Sequence, residues 1–283
     1  MSQTPRIACL QTCPRADIAS ALEEALPLAQ AAVSDGAEFL FLPEYCGGLK
    51  SDGAKLTPPA AREGEHGFLN SLRDFALENR VWIMLGSVAI AAADDKIVNR
   101  GFIIDDHGKI ISRYDKIHLF DVRLSDNEVY AESATVVPGT QAVLVETPFG
   151  RIGHTICYDL RFPHLYRALA KAGADIIAVP AAFTKRTGQA HWHVLNRARA
   201  IENGVFVVSP CAIGEIPGGG ESYGHSLIVD PWGRVLADGG TTPGVVAASI
   251  DLDAVADTRA RIPSLLHDRP FTLHQIHTDR KTQ

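Results

Sequence analysis

Cysteine is scarce in this sequence: five residues, at positions 9, 13, 46, 157 and 211, odd in number and scattered. A disulfide framework needs paired, closely spaced cysteines, so this distribution points to a reducing compartment and a cytoplasmic location. Excess positive charge is lacking too. With 27 Lys and Arg against 33 Asp and Glu the formal net charge is −6. That argues against a nucleic-acid partner, because non-specific binding depends on cations neutralising phosphates. No apolar run approaches the roughly 20 residues of a membrane span. The opening MSQTPRIACLQTCP has no apolar stretch behind a basic end, so neither a membrane partner nor a secretory leader is expected. Internal repeats, low-complexity tracts and linker-like shifts in composition are also missing. What is present is 46% hydrophobic residues in a chain of 283, ample for one large core. Residues 1–283 are read as a single domain.

Short apolar runs rich in branched residues recur along the chain: Arg6–Gln11, Glu38–Leu42, Val81–Ile90, Ile97–Asp105 and Lys109–Tyr114. They continue with Ala142–Thr147, Arg151–Cys157, Asp175–Ala181, Val205–Pro210, Ser222–Val229 and Val245–Ile250. Their lengths and flanking Gly, Pro and Asp predict strands. Apolar residues at helical spacing predict helices over Asp17–Ser34, Gly67–Asn79, Pro163–Ala172 and Gln189–Asn203. Turn residues at Asp106-His107-Gly108 and Pro231-Trp232-Gly233 predict hairpins. Runs such as DIIAVPAA, apolar on both faces, belong at the centre of a covered sheet. The expected class is a large α+β sandwich with helices over the outer faces of its sheets.

Three reactive residues sit at or just after predicted strands: Glu44 after FLFLP, Lys116 after IISRYD, and Cys157 at the end of RIGHTIC. A carboxylate and an ammonium in such apolar surroundings are costly unless paired or used. Taken singly, Glu44 and Lys116 could be structural ion-pair partners. Taken together they have a chemical logic. A thiol becomes a nucleophile when a base takes its proton. The same carboxylate can return that proton to a leaving amine. An ammonium can hold the charge that develops on a carbonyl oxygen under attack.

On these residues the sequence resembles the nitrilase superfamily of carbon–nitrogen hydrolases. FLPEYC, YDKIHLFD and ICYDLRFP are similar, in order and context, to the segments around that family's Glu, Lys and Cys. The downstream PAAFTKRTGQAHWHVLNRARAIEN and SYGHSLIVDPWG are most like the amidase branch that contains deaminated-glutathione amidases and omega-amidases. The resemblance implies a four-layer α-β-β-α sandwich, usually a homodimer, with the C-terminal tail from about residue 268 at the dimer interface. It makes Cys157 the nucleophile, Glu44 the general base and acid, and Lys116 the oxyanion stabiliser, with the Tyr158 backbone N–H as second donor. Glu132 matches the context of a further active-site Glu. Arg161 and Thr184 match residues that contact the substrate acid, although Arg161 could equally form an ion pair with Asp159. The implied reaction is hydrolysis of a small carboxylate-bearing amide to acid and ammonia through a thioester, with no cofactor. Deaminated glutathione is the preferred substrate, and 2-oxoglutaramate is the alternative. N-carbamoyl amino acids and nitriles rank lower, and a non-catalytic binding protein is the reading from a different class.

Other features carry less. His191 and His193 form an HxH pair, but two positions apart on a helix they point to different sides, and no Cys/His partner set follows in sequence for a zinc site. Cys9 and Cys13 lack redox spacing, Cys46 has no role, and Cys211 reads as a packed thiol. Trp192 and Phe183 read as core. His118 reads as a hydrogen-bonding residue that positions the Lys116 loop. The glycine run Gly214–Gly220 lacks the ending and helix of a phosphate loop and reads as a loop bordering the pocket or a hairpin tip.

Overall fold

The structure, a computed structural model, describes residues 4–276 apart from Ala54 and Asn127. Among the described residues, twelve strands form the continuous order of the two main sheets: β1 (Arg6–Gln11), β2 (Phe39–Phe41), β3 (Trp82–Ala91), β4 (Ile97–Ile104), β5 (Ile110–Asp115) and β6 (Leu144–Thr147), followed by β7 (Gly150–His154), β8 (Ile176–Ala178), β9 (Phe206–Ser209), β10 (Leu227–Val229), β11 (Val235–Asp238) and β12 (Gly244–Ser249). A short strand, Ala60–Ala61, also pairs with β3. The helices are α1 (Ile18–Ser34), α2 (Gly67–Asn79), α3 (Pro163–Lys171), α4 (Lys185–Asn203) and α5 (Asp253–Arg261).

The first sheet has the order β12-β1-β2-β3-β4-β5, and the second β6-β7-β8-β9-β10-β11. Both run through the same senses of pairing: antiparallel, parallel, parallel, antiparallel, antiparallel. The period-2 alternation of each strand explains the layering. In β1, Ile7 and Cys9 point between the sheets, while Ala8 and Leu10 meet α1 and α2. In β8, Ile176 and Ala178 point between the sheets, and Ile177 meets the α3 and α4 layer. The expected α-β-β-α order is therefore present, and the central strands are apolar on both faces because both faces are covered.

The helices follow their local signals. Asp17 caps α1 by accepting from the Ser20 amide at 2.9 Å, and the small stripe Ala21, Ala25, Ala29 and Ala32 lets α1 lie close to the sheet. Pro163 opens α3, and Gly173 follows its end at φ +103°, a conformation that suits a residue without Cβ.

Four departures have physical reasons. α4 begins at Lys185, ahead of the expected Gln189, because Gly188 is a packing residue and not a breaker: a Cβ there would lie 2.2 Å from the Tyr223 ring. The expected strand Ser222–Val229 is divided by Gly224 and His225, both in the left-handed region. The strand expected to end at Cys157 stops at His154, and Cys157 opens a 3-10 turn, Cys157–Arg161. α5 and the hairpin Asp121–Ser125/Glu128–Ala131 had no strong periodicity to announce them, and α5 buries only Val255; β11 forms the hairpin expected at Pro231-Trp232-Gly233.

Candidate active site

The site lies where one end of the first sheet meets the second. The chain leaving β2 carries Glu44, the chain leaving β5 carries Lys116, and the turn after β7 carries Cys157. Gly86 makes this approach possible. A Cβ on it would lie 2.0 Å from the Leu42 carbonyl oxygen and 2.3 Å from that of Pro43, so only glycine lets the segment before Glu44 cross β3 so closely.

Lys116 is 2% exposed. Its ammonium donates to Glu44 Oε1 at 2.9 Å and to Glu132 Oε1 and Oε2 at 3.0 and 2.8 Å. Burial alone would lower its pKa, but Glu132 and Glu44 outweigh that and hold it well above the ordinary lysine value, so the amine stays charged. Glu44 spans the two sheets, since its Oε2 accepts from the Ala182 amide beyond β8 at 2.9 Å. Glu132 opens a short 3-10 turn and also accepts from the Phe120 amide at 2.6 Å.

The Cys157 thiol is buried, and its backbone is held in the left-handed region at φ +48°. The amide of Cys157 donates to the Pro180 carbonyl at 2.8 Å. Burial first, then the Glu44 carboxylate, pushes the thiol pKa well above its usual value. The resting side chain is therefore a neutral thiol facing a base. Tyr158, next in the turn, precedes the turn's first internal hydrogen bond, so its N–H belongs to the donors that a helix start leaves without an intrahelical acceptor. Asp159 locks the turn to the lysine loop: it accepts from the Tyr114 hydroxyl at 2.7 Å, the His118 amide at 3.0 Å and the Ile156 amide at 2.9 Å, and its Oδ1 lies 2.6 Å from His118 Nδ1.

Glu44, Lys116, Glu132 and Cys157 line a cavity of about 60 Å³ walled by Tyr45, Leu49, Leu56, Phe120, Tyr130, Tyr158, Phe183 and Ile216. Thr184, the residue before α4, lies on its wall, with its Oγ1 2.7 Å from Thr187 Oγ1. An outer recess of about 630 Å³ shares Leu56, Tyr130, Thr184 and Ile216 with the cavity and adds Lys185, Arg186, Glu128 and Glu221. The Gly214–Gly220 segment borders this recess as the tip of a hairpin, docked by a hydrogen bond from the Ser51 amide to the Pro217 carbonyl at 2.9 Å.

Glu44, Lys116, Glu132, Cys157, Tyr158 and Thr184 thus come together around one cavity. Arg161 does not line it. Its guanidinium lies behind the wall, over the rings of Phe183 and Tyr158 at 5.2 and 5.9 Å, with an Nη1 3.2 Å from His191 Nδ1. Asp159 is bonded to Tyr114, His118 and Ile156, and the alternative Arg161–Asp159 ion pair does not form.

Two residues of the site escaped the sequence reading. Asn99, fully buried in β4, donates through Nδ2 to Glu44 Oε1 at 2.9 Å and Glu132 Oε1 at 3.3 Å. Tyr45 lines the cavity at φ +51° with its buried hydroxyl unpartnered. The only signal for Asn99 was an amide in a strand of mostly apolar residues.

The carbon-nitrogen hydrolase family model matches residues 6–260. The chain belongs to that family. Among curated relatives of this carbon–nitrogen hydrolase, the deaminated glutathione amidase of Synechocystis sp. is 40% identical over 92% of this chain and 96% of its own. Among solved structures, Saccharomyces cerevisiae Nit3, a member of branch 10 of the nitrilase superfamily, superimposes with a TM-score of 0.81 at 28% identity, over 93% of this chain and 96% of its own. A mutant of the Nesterenkonia sp. AN1 amidase, bearing the acetamide moiety of fluoroacetamide covalently on its active site cysteine, gives 0.76 at 25% identity, over 93% and 96%. The hydrolase therefore has the sandwich of the nitrilase superfamily, as the sequence motifs implied. It is an enzyme that hydrolyses amide carbon–nitrogen bonds.

Proposed function

We propose that the enzyme cleaves a small carboxylate-bearing amide through a thioester on Cys157, with deaminated glutathione as its preferred substrate. One observation carries the mechanism: a single buried ammonium, Lys116, is bonded to both Glu44 and Glu132 on the cavity that holds the Cys157 thiol. Cys157 attacks the carbonyl as Glu44 takes its proton. Lys116 and the Tyr158 N–H stabilise the oxyanion. Glu44 then protonates the leaving amine, and in the second half it deprotonates the water that releases the acid. Glu132 holds Lys116 in place. The polar wall at Thr184 faces the substrate, and Arg161 backs the Tyr158 and Phe183 rings of that wall.

The outer recess favours a peptide-like amide over a five-carbon oxo-acid amide, because it offers room for a second residue beyond the scissile bond. Deaminated glutathione, 2-oxoglutaramate, N-carbamoyl amino acids and simple nitriles, compared by mass spectrometry of the products, test the assignment. Deaminated glutathione should have the highest kcat/KM, and a preference for carbamoyl compounds or nitriles refutes it. A Cys157→Ala variant should be inactive on all of them.

The working unit takes Glu44 and Lys116 from one sheet and Cys157 from the other, which supports reading residues 1–283 as one domain. Five free thiols support a cytoplasmic setting, and among the described residues no helix is long and apolar enough to cross a membrane. A homodimer is supported by exposed apolar side chains on α4, Val194 and Ile201, and along the C-terminal segment, Leu266, Phe271, Leu273 and Ile276. Residues 277–283 of that tail lie outside the described residues.

A further inference from the structure

On the flank of α4, apart from the cavity lining, two imidazoles converge on one carboxylate. His193 belongs to α4, His225 to the corner before β10, and Asp238 ends β11. His193 Nε2 lies 3.0 Å from Asp238 Oδ2, and His225 Nδ1 lies 2.8 Å from Asp238 Oδ1. One ligand atom from each residue falls within 4.8 Å of the others. We propose that His193, His225 and Asp238 form a binding site for a divalent transition metal of the zinc type.

The donor set selects the metal. Two imidazole nitrogens and a carboxylate suit zinc, copper and nickel, whereas magnesium and calcium take oxygen ligands almost alone. Three protein ligands with water in the fourth position is the composition of an open zinc site. Side chains 34%, 22% and 35% exposed leave room for that water and a path for the ion.

The cluster is also held in place before any ion arrives. The Tyr223 ring stacks on His225 at 4.6 Å and stands edge-on to His193 at 6.1 Å. Asp238 Oδ1 accepts from the Gly240 amide at 2.9 Å. The His225 amide donates to the Gly240 carbonyl at 2.8 Å, and its carbonyl accepts from the Trp192 indole at 2.7 Å. These bonds keep His225 at φ +53°, a conformation that costs a residue with a Cβ and persists where its surroundings over-determine it. The hydrolytic mechanism uses none of these groups. The HxH pair of the sequence is split accordingly: His191 faces Arg161, and His193 faces this cluster.

Without metal, each ring must carry its proton on the nitrogen that faces Asp238. On binding, those nitrogens present lone pairs to the ion, and the proton of each neutral ring sits on its other nitrogen. A bound ion would clamp α4 to the β10–β11 edge.

Zinc titration against a chromophoric chelator at pH 7.5, on EDTA-stripped protein, tests the proposal. A Cys157→Ala, Cys13→Ser background removes the active-site thiol and the partly exposed Cys13 thiol as competitors for the ion. A single equivalent should bind with micromolar affinity or better. His193→Ala and Asp238→Asn should each weaken it about tenfold or more. Zinc should raise the unfolding midpoint of the background protein and leave that of its His193→Ala variant unmoved. Cobalt in the same site should show visible d–d bands without sulfur charge transfer. Absence of stoichiometric binding in the background protein, or unchanged affinity in both ligand variants, overturns the proposal.

Discussion

The charge balance of the site rests on one cation shared by two carboxylates, and the thiol contributes no charge of its own at neutral pH. Because burial and Glu44 both raise the Cys157 pKa, a preformed thiolate is not the resting nucleophile. Alkylation of Cys157 by a small neutral reagent should keep accelerating beyond pH 9, and a plateau below pH 8 would contradict the assignment. Asn99 gives the two carboxylates one more donor each. Hydrogen bonds to charged groups are worth about 1.5–3 kcal/mol, so Asn99→Leu should lower kcat about 10- to 100-fold with KM nearly unchanged. Steady-state kinetics on the best amide measures the split. Glu44, Lys116 and Cys157 stood out in sequence as charged or reactive groups at apolar strand ends, and the family resemblance implied their roles. Asn99 did not stand out, since an amide beside Arg100 in a strand carries no sign of its partners, and only the fold shows two carboxylates beside it.

Among the elements, legibility followed periodicity and failed where a single tertiary contact decided the outcome. α2 matches its expected range, since five buried apolar residues mark one face of it. The start of α4 was hidden by a glycine that faces Tyr223, and the corner at His225 was hidden inside an apolar run. Gly86 is the contact of this kind on which the site depends most. Gly86→Ala places a methyl group against the Leu42 and Pro43 carbonyls. It should destabilise the protein by about 1–3 kcal/mol and lower kcat as well, because the displaced segment carries Glu44. Urea unfolding and kinetics on the same preparation check both effects, and a variant that lost stability alone would show that Glu44 is positioned by other contacts.

For the whole molecule, the layer between the sheets contains a polar bridge whose titration should register in global stability. His154 at the end of β7 is fully buried, with its Nε2 2.9 Å from the Ser112 hydroxyl of β5. Burial lowers its pKa to about 3, whereas the unfolded chain titrates near 6.5. The unfolded state therefore binds the extra proton first as pH falls. This contribution is complete above about pH 6.5 and is lost progressively toward pH 3, at up to about 1.4 kcal/mol per pH unit. His154→Gln should flatten the difference in unfolding free energy between pH 7 and pH 5, as measured by urea denaturation. The layer order was readable in advance, because strands apolar on both faces demand cover on both. The matched order of the two sheets was not, because side chains that meet different neighbours leave no repeat in the sequence.

That matched order has one exception in chain direction. The second sheet takes its edge strand, β6, from the residues just before β7, but the first sheet takes its own, β12, from residues 244–249. During synthesis the N-terminal sheet is made early yet lacks its last strand until most of the chain has left the ribosome. Until then the sheet that will hold Glu44 and Lys116 lacks its closing edge, although every strand of the partner sheet precedes that edge in the chain. The first sheet to begin is thus the last to be closed, by a strand made after the whole of the second sheet.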